Sequence, residues 1–185
     1  MKVNPVLDEL GVHGVAAVQQ RARDMRAAGE RIIDFSIGDP REPTPPMIPE
    51  ALVAAIPEIS QYPTTKGLPE LRAAIAEYVA RRFGVDVDPD TQIMPTSGSK
   101  EAIFSAPLAF IDRTRNDVVT WATPGYPIYE RGARLAGARG NPIRLSGDFV
   151  FRPEMIDDQA WLDSAMVWTC SPHNPAGTTM EGATV

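Results

Sequence analysis

Ser171-Pro172-His173-Asn174-Pro175-Ala176-Gly177, near the end of a 185-residue sequence, is the stretch on which the reading of the fold turns. It follows an apolar run, Ala165-Met166-Val167-Trp168-Thr169-Cys170, whose length and residue types predict a buried strand. A buried strand that runs into Asn-Pro-x-Gly puts a turn at the carboxyl edge of a sheet, where open α/β sheets bind their ligands. The Asn174 amide both donates and accepts, Pro175 fixes φ, and Gly177 turns with φ of either sign. Alone, the stretch is a turn. Its meaning depends on what precedes it.

Upstream, Asp117-Val118-Val119-Thr120-Trp121 predicts another buried strand, leading to Pro124-Gly125-Tyr126-Pro127-Ile128-Tyr129. A helix to about Ala136 and a strand near Asn141–Leu145 follow. Gln92-Ile93-Met94-Pro95-Thr96 reads as a short strand entering Ser97-Gly98-Ser99-Lys100, a glycine turn that opens a helix. Before it, Pro69 stands at a first helical position, and Leu71, Ile75, Tyr78 and Phe83 form an amphipathic face that Gly84 ends. Ile48 to Ile56 predicts a helix with Pro49 in its first turn. Ile32–Ile37 reads as a strand or extended segment ending in Gly38-Asp39-Pro40. Val15, Val18, Ala22 and Met25 mark a helix that Gly29 stops, and residues 1–13 read as an extended arm. Strand, glycine turn, helix, strand is the rhythm of a parallel α/β sheet.

Composition narrows the function. A net charge of −6 with no basic cluster argues against nucleic acid as a partner. No apolar run is long enough to span a bilayer and no signal-like segment opens the sequence, so the expected location is cytoplasmic. The single cysteine, Cys170, leaves no internal disulfide and argues against a cysteine metal site. His13 and His173 are too few and too far apart for a metal site and read as structural. Asp39 and Glu42 read as a solvated turn, and Asp86 to Asp90 as a solvated acidic turn. Gly98-Ser99-Lys100, between a strand and a helix, is a candidate phosphate cradle: backbone N–H groups and the helix dipole converge there, and Ser97 and Ser99 add hydroxyls. The spacing matches neither a Walker loop nor a dinucleotide fingerprint. Tyr126 stands at a strand end, where its ring would face a flat ligand.

The motifs in series are more specific than any one of them: Phe35-Ser36-Ile37-Gly38-Asp39-Pro40; Tyr62 to Gly67-Leu68-Pro69-Glu70-Leu71-Arg72; Ser97-Gly98-Ser99-Lys100-Glu101-Ala102; Pro124-Gly125-Tyr126-Pro127-x-Tyr129; and the Asn174 turn. From about residue 4 to 180 this series resembles the N-terminal half of class I/II aminotransferases, fold-type-I enzymes dependent on pyridoxal 5′-phosphate. Within that family the Tyr62–Arg72 and Gly98–Ala102 stretches look most like succinyldiaminopimelate aminotransferases of lysine biosynthesis. The resemblance implies an α/β chain with an arm and helix over residues 1–44, part of a small domain, and an incomplete cofactor-binding large domain over 45–185. It also implies site roles. Gly98, Ser99 and Lys100 would hold the cofactor phosphate, Tyr126 would stack on the pyridine ring, and Asn174 would hydrogen-bond its phenolic oxygen. Gly38 would lie against the substrate carboxylate, and Tyr62 would reach the phosphate of the partner's cofactor in a homodimer.

The family's chemistry needs a Schiff-base lysine after the Asn-Pro-x-Gly turn. The three lysines here are Lys2, Lys66 and Lys100, all before Asn174, so no catalytic residue is assigned. The carboxylate that pairs with the pyridine nitrogen and the later substrate-binding arginine are also not present. The expectation is half an aminotransferase, inactive alone, with an unpaired strand edge and an uncovered face. The alternatives are a carbon–sulfur lyase or decarboxylase on the same fold, a non-catalytic remnant that only binds or assembles, or the start of a regulator that borrowed this fold.

Overall fold

Apolar runs that alternate with glycine turns in the second half of the sequence build a sheet, whereas the first half supplies helices. The computed structural model describes residues 2–11, 14–36, 38, 40–180 and 182. They fall into two units, one within residues 1–9 and 96–185, the other Leu10–Pro95.

The first unit carries a three-stranded parallel sheet of β1 (Val118–Thr123), β2 (Arg139–Arg144) and β3 (Ser164–Trp168), in the order β2-β1-β3. The most apolar strand takes the centre. Val118, Val119, Trp121 and Ala122 of β1 are all buried, as expected of a strand covered on both faces. Side chains alternate across the sheet. Val119 and Trp121 pack with Tyr129 and Ala133 of α6 (Ile128–Ala136), and Ala122 packs with Leu145, Phe151 and Ile156 on the other face. A buried valine such as Val119 contributes about 1.5–3 kcal/mol. Pro142 is tolerated in β2 because β2 is an edge strand.

One polar rib crosses all three strands. Asn141 Nδ2 donates to Thr120 Oγ1 at 3.1 Å, Thr120 lies 2.7 Å from Ser164 Oγ, and Ser164 donates to the Ala160 carbonyl at 2.7 Å. Since the single Ser164 proton goes to Ala160, Thr120 donates to Ser164, and both hydroxyl protons of the rib have an acceptor. Ala160 belongs to α7 (Asp158–Asp163), whose cap residue Asp157 accepts the Ala160 N–H at 2.8 Å. The helix α5 (Ser99–Phe110) precedes β1 and packs on α6.

The Leu10–Pro95 unit holds α2 (Gly14–Ala27), α3 (Met47–Ala54) and α4 (Pro69–Phe83). These agree with the periodicity, and Gly84 ends α4 in the left-handed conformation. Ala22 and Arg72 are the only buried side chains among its described residues, while Phe35 is 90% exposed and Tyr62 is 99% exposed.

Two expectations change. The arm over residues 1–13 contains α1 (Pro5–Leu10): Asn4 Oδ1 accepts the Val6 N–H at 3.1 Å, a helix cap that sparse apolar periodicity conceals. His13 of that arm, like Ile37 and Asp39, lies outside the described residues. Gln92–Thr96 is not a strand and joins no ladder among the described residues, while Ile32–Ser36 takes the extended form, one of the two expected. The acidic turn is exposed as expected, with the Asp90 side chain 76% exposed, and Asp90 also pairs with buried Arg72 at 2.8 Å. The helix α7 has no counterpart among the expectations from periodicity. Its signal is Asp157, a cap residue, ahead of Ala160-Trp161-Leu162.

Candidate functional site

Parallel neighbours end on the same side of a sheet, so β1 and β3 deliver Pro124–Pro127 and Thr169–Gly177 to one carboxyl edge. The short link 111–117 joins α5 to the amino end of β1, so α5 runs back along the sheet and points its N-terminus to that same edge. Within one unit the fold therefore directs Gly98–Lys100, Tyr126 and Asn174 towards a single edge. Gly38 and Tyr62 belong to the other unit; both are exposed, and Tyr62 stands in the segment before the Thr64–Gly67 turn.

The turn into α5 is built for exposed donors. Gly98 has φ +86° and ψ 158°, a region open essentially to glycine alone. No side chain caps α5. The Gly98 N–H is already bonded to the Thr96 carbonyl at 2.8 Å, and the Ser97 N–H to Glu101 Oε2 at 2.5 Å. The groups left for an anion are the N–H groups of Ser99 and Lys100, the hydroxyls of Ser97 and Ser99, and the Lys100 ammonium, all exposed. This donor set suits a phosphate monoester: two backbone donors at a helix N-terminus, two hydroxyls and one cation.

Tyr126 is held by rings outside the candidate set. Its ring meets Tyr129 edge-on, with centroids 5.8 Å apart at 84°, and Tyr129 stacks on Trp168 of β3 at 5.4 Å and 16°. Burial, with the neighbouring Cys170 thiol as the next cause, pushes the Tyr129 phenol up to about 12. Tyr129 is thus a neutral, buried platform, and Tyr126 is the half-buried ring resting on it. Gly125 is required by space: a Cβ there would lie 2.1 Å from the Ala122 carbonyl oxygen. The aromatic spacing Tyr126-x-x-Tyr129 is the available signal for this support, whereas Trp168 is joined to it only by strand pairing.

Asn174 sits on a turn fastened from both sides. His173 N–H bonds the Thr178 carbonyl at 2.7 Å, Gly177 N–H bonds the His173 carbonyl at 2.6 Å, and Thr178 Oγ1 donates to the Phe149 carbonyl at 2.9 Å. His173 is buried, and its Nδ1 accepts from the Ala176 N–H at 3.4 Å, so this histidine is part of the turn's framework. The peptide bonds before Pro124, Pro172 and Pro175 are cis. The Asn174 amide is exposed and engages none of the described residues.

The family described as aminotransferase class I and II matches residues 30–185. Among sequence relatives, the LL-diaminopimelate aminotransferase of Dehalococcoides mccartyi (strain CBDB1) is 36% identical over 181 residues, covering 96% of this chain and 46% of the relative. That of Desulforudis audaxviator is 38% identical over 166 residues, covering 88% and 42%. Among solved structures, the aspartate aminotransferase from Rhizobium meliloti superposes with a TM-score of 0.87 at 25% identity, over 100% of this chain and 46% of that one. An aminotransferase from Mycobacterium tuberculosis gives 0.80 at 30% identity, over 94% and 45%. The chain thus spans about half the length of the curated relatives it matches. With the parallel sheet and the match over most of its length, the chain belongs to the class I and II aminotransferases, a pyridoxal 5′-phosphate-dependent family.

Proposed function

We propose that this chain is the N-terminal half of an aminotransferase that moves an amino group between an amino acid of the diaminopimelate type and a 2-oxo acid, in lysine biosynthesis. The observation that carries this reading is the likeness to LL-diaminopimelate aminotransferases along 96% of the chain, supported by the exposed donors at the start of α5. The motif likeness to succinyldiaminopimelate aminotransferases names the same class of substrate. In this reading the protein is a cytoplasmic homodimer, with residues 1–44 in a small domain and 45–185 in the cofactor-binding domain. Among the described residues no helix is long and apolar enough to cross a membrane.

The cofactor, when bound, supplies an electron sink for the substrate's α-carbon. This chain's residues bind and orient it. The Ser99 and Lys100 N–H groups, with the Ser97 and Ser99 hydroxyls, hold the phosphate, and Gly98 supplies the conformation that aims them. Tyr126 lies on the ring and keeps water from that face, while the Asn174 amide donates to the phenolic oxygen. Gly38 leaves room for the substrate carboxylate, and Tyr62 donates to the phosphate in the partner subunit. All three lysines precede Asn174, so the 185-residue chain by itself is expected not to transaminate.

The test has two parts. The DNA beyond codon 185 is read in all frames for a lysine in a Ser-x-Ser-Lys setting and a later arginine. The protein encoded by the whole frame is then assayed with LL-diaminopimelate and a 2-oxo acid. Transamination by the complete protein and none by the 185-residue chain supports the reading. A complete protein that releases carbon dioxide or cleaves a carbon–sulfur bond instead would replace it, and a stop codon with no lysine in any frame would withdraw the enzymatic claim.

A further inference from the structure

Arg72 is the only buried lysine, arginine, aspartate or glutamate among the described residues, and it lies one turn into α4. Its guanidinium holds two loops at once. Nη1 donates to the Gly67 carbonyl at 2.7 Å and, at a longer 3.5 Å, to that of Lys66. Nε donates to the Pro89 carbonyl at 2.8 Å, and Nη2 to Asp90 Oδ1 at 2.8 Å.

Both loops are prepared for this grip. Asp88 organises the second by accepting the Asp90 N–H at 2.9 Å and the Thr91 hydroxyl at 2.5 Å. The first closes on itself, with the Gly67 N–H bonded to the Thr64 carbonyl at 3.1 Å. Gly67 has φ +78°, and a Cβ there would lie 2.7 Å from Pro95 Cγ, so this turn lies flat against Pro95. Tyr62, just upstream, is 99% exposed and has no packing of its own to fix where it leaves the fold. Its place is set by where the Thr64–Gly67 turn is tied down.

We propose that Arg72 is a positioning residue for cofactor binding: by tying the Thr64–Gly67 turn to α4 and to the Pro89–Asp90 turn, it fixes the point from which Tyr62 reaches the phosphate. The proposal rests on the role given to Tyr62 above. Lysine cannot take the place of Arg72, because a single ammonium lacks the rigid fork that spans two loops.

The test uses the complete enzyme and compares the affinity for pyridoxal 5′-phosphate with that for pyridoxal, which lacks the phosphate. Absorbance titration of the apoenzyme gives both. Tyr62→Phe is expected to reduce the preference for the phosphorylated form about tenfold, the scale of one hydrogen bond to a charged group. Arg72→Lys is expected to reduce it by a similar factor, and to reduce it no further in the Tyr62→Phe background. If Tyr62→Phe changes the preference and Arg72→Lys only lowers the melting temperature, the positioning role is overturned and the Tyr62 role stands. The positioning role is equally overturned if the two effects multiply independently. If Tyr62→Phe leaves the preference unchanged, the Tyr62 role itself falls and this proposal with it. Should Arg72→Lys not fold, Asp90→Ala removes that acceptor and keeps the other bonds of Arg72. A threefold or larger drop in preference is then expected, and none would overturn the proposal.

Discussion

Replacing Gly98 by alanine isolates the backbone strain in the turn before α5. Nothing lies within 4 Å of where the new Cβ would stand, so no neighbour resists it. The whole cost comes from φ +86° and ψ 158°. Holding a residue with a side chain in such a region costs about 1–3 kcal/mol. For a chain of this size each kcal/mol lowers the melting temperature by about 2–4 °C, which places Gly98→Ala about 2–12 °C below the parent. The chain has one other way out. If the turn relaxes to an ordinary conformation, stability recovers, but the Ser99 and Lys100 N–H groups no longer converge and affinity for an anion falls. Thermal melts followed by circular dichroism, beside titration with inorganic phosphate, separate the two outcomes. A variant that matches the parent in both melting temperature and phosphate affinity would refute the argument that this glycine aims the cradle.

Gly125→Ala differs in kind: its Cβ would sit 2.1 Å from the Ala122 carbonyl oxygen, so β1 or the turn has to move. Overpacking of that sort costs about 1–3 kcal/mol or more, seen as a lower denaturant midpoint, and an unchanged midpoint would count against so close an approach of turn and strand. Thr120→Val keeps the shape of the central strand but leaves Asn141 Nδ2 with no acceptor in the rib; a loss of about 1–3 kcal/mol in equilibrium unfolding is expected, and a neutral result would show that the rib adds nothing to stability. Asp148 is held down to about 2, first by its hydrogen bonds from Arg152 and then by the Val150 N–H. Its folded value lies below the ordinary 3.8, so its contribution is complete above that value and is lost as pH falls towards 2. Asp148→Asn should therefore flatten the stability–pH curve between those values, and an unaltered acid arm would refute the assignment. Tyr129→Phe should remove the step near pH 12 from the phenolate absorbance titration, since burial holds that phenol neutral.

What could be read from the sequence, and what could not, divides by whether the cause is local. Helices α2, α3 and α4 were legible because their apolar spacing and their Gly29 and Gly84 stops act within a few residues. The strands β1 and β3 were legible because each is an apolar run bounded by turn residues. Gln92–Thr96 has strand composition, yet a strand exists only as part of a ladder, and this segment joins none among the described residues. Composition records what a segment is able to pair with, not whether a partner is there. The missed helices α1 and α7 are each six residues long, shorter than the window in which periodicity shows, and only their Asn4 and Asp157 caps announce them.

The same division runs through the candidate site. The residues expected to face a ligand, Gly98, Ser99, Lys100, Tyr126 and Asn174, stand in glycine- and proline-bounded turns whose chemistry is visible in a few letters. The groups that hold the turns of the fold in place act through contacts that their letters do not announce. Trp168 supports Tyr129 and through it Tyr126 from another strand, Phe149 fastens the Asn174 turn through its carbonyl, and Arg72 joins turns on either side of a helix. A ligand-facing side chain such as that of Ser99, Lys100 or Asn174 acts by the atoms it presents, so substitution there changes affinity with little effect on stability, whereas Gly98 acts through its backbone and affects both. A supporting residue acts through geometry, so its loss reaches affinity by way of position and costs stability as well. That pairing of effects, at a residue whose place in the Tyr62–Arg72 motif does not reveal its buried grip on two loops, is what distinguishes Arg72 from the residue it places.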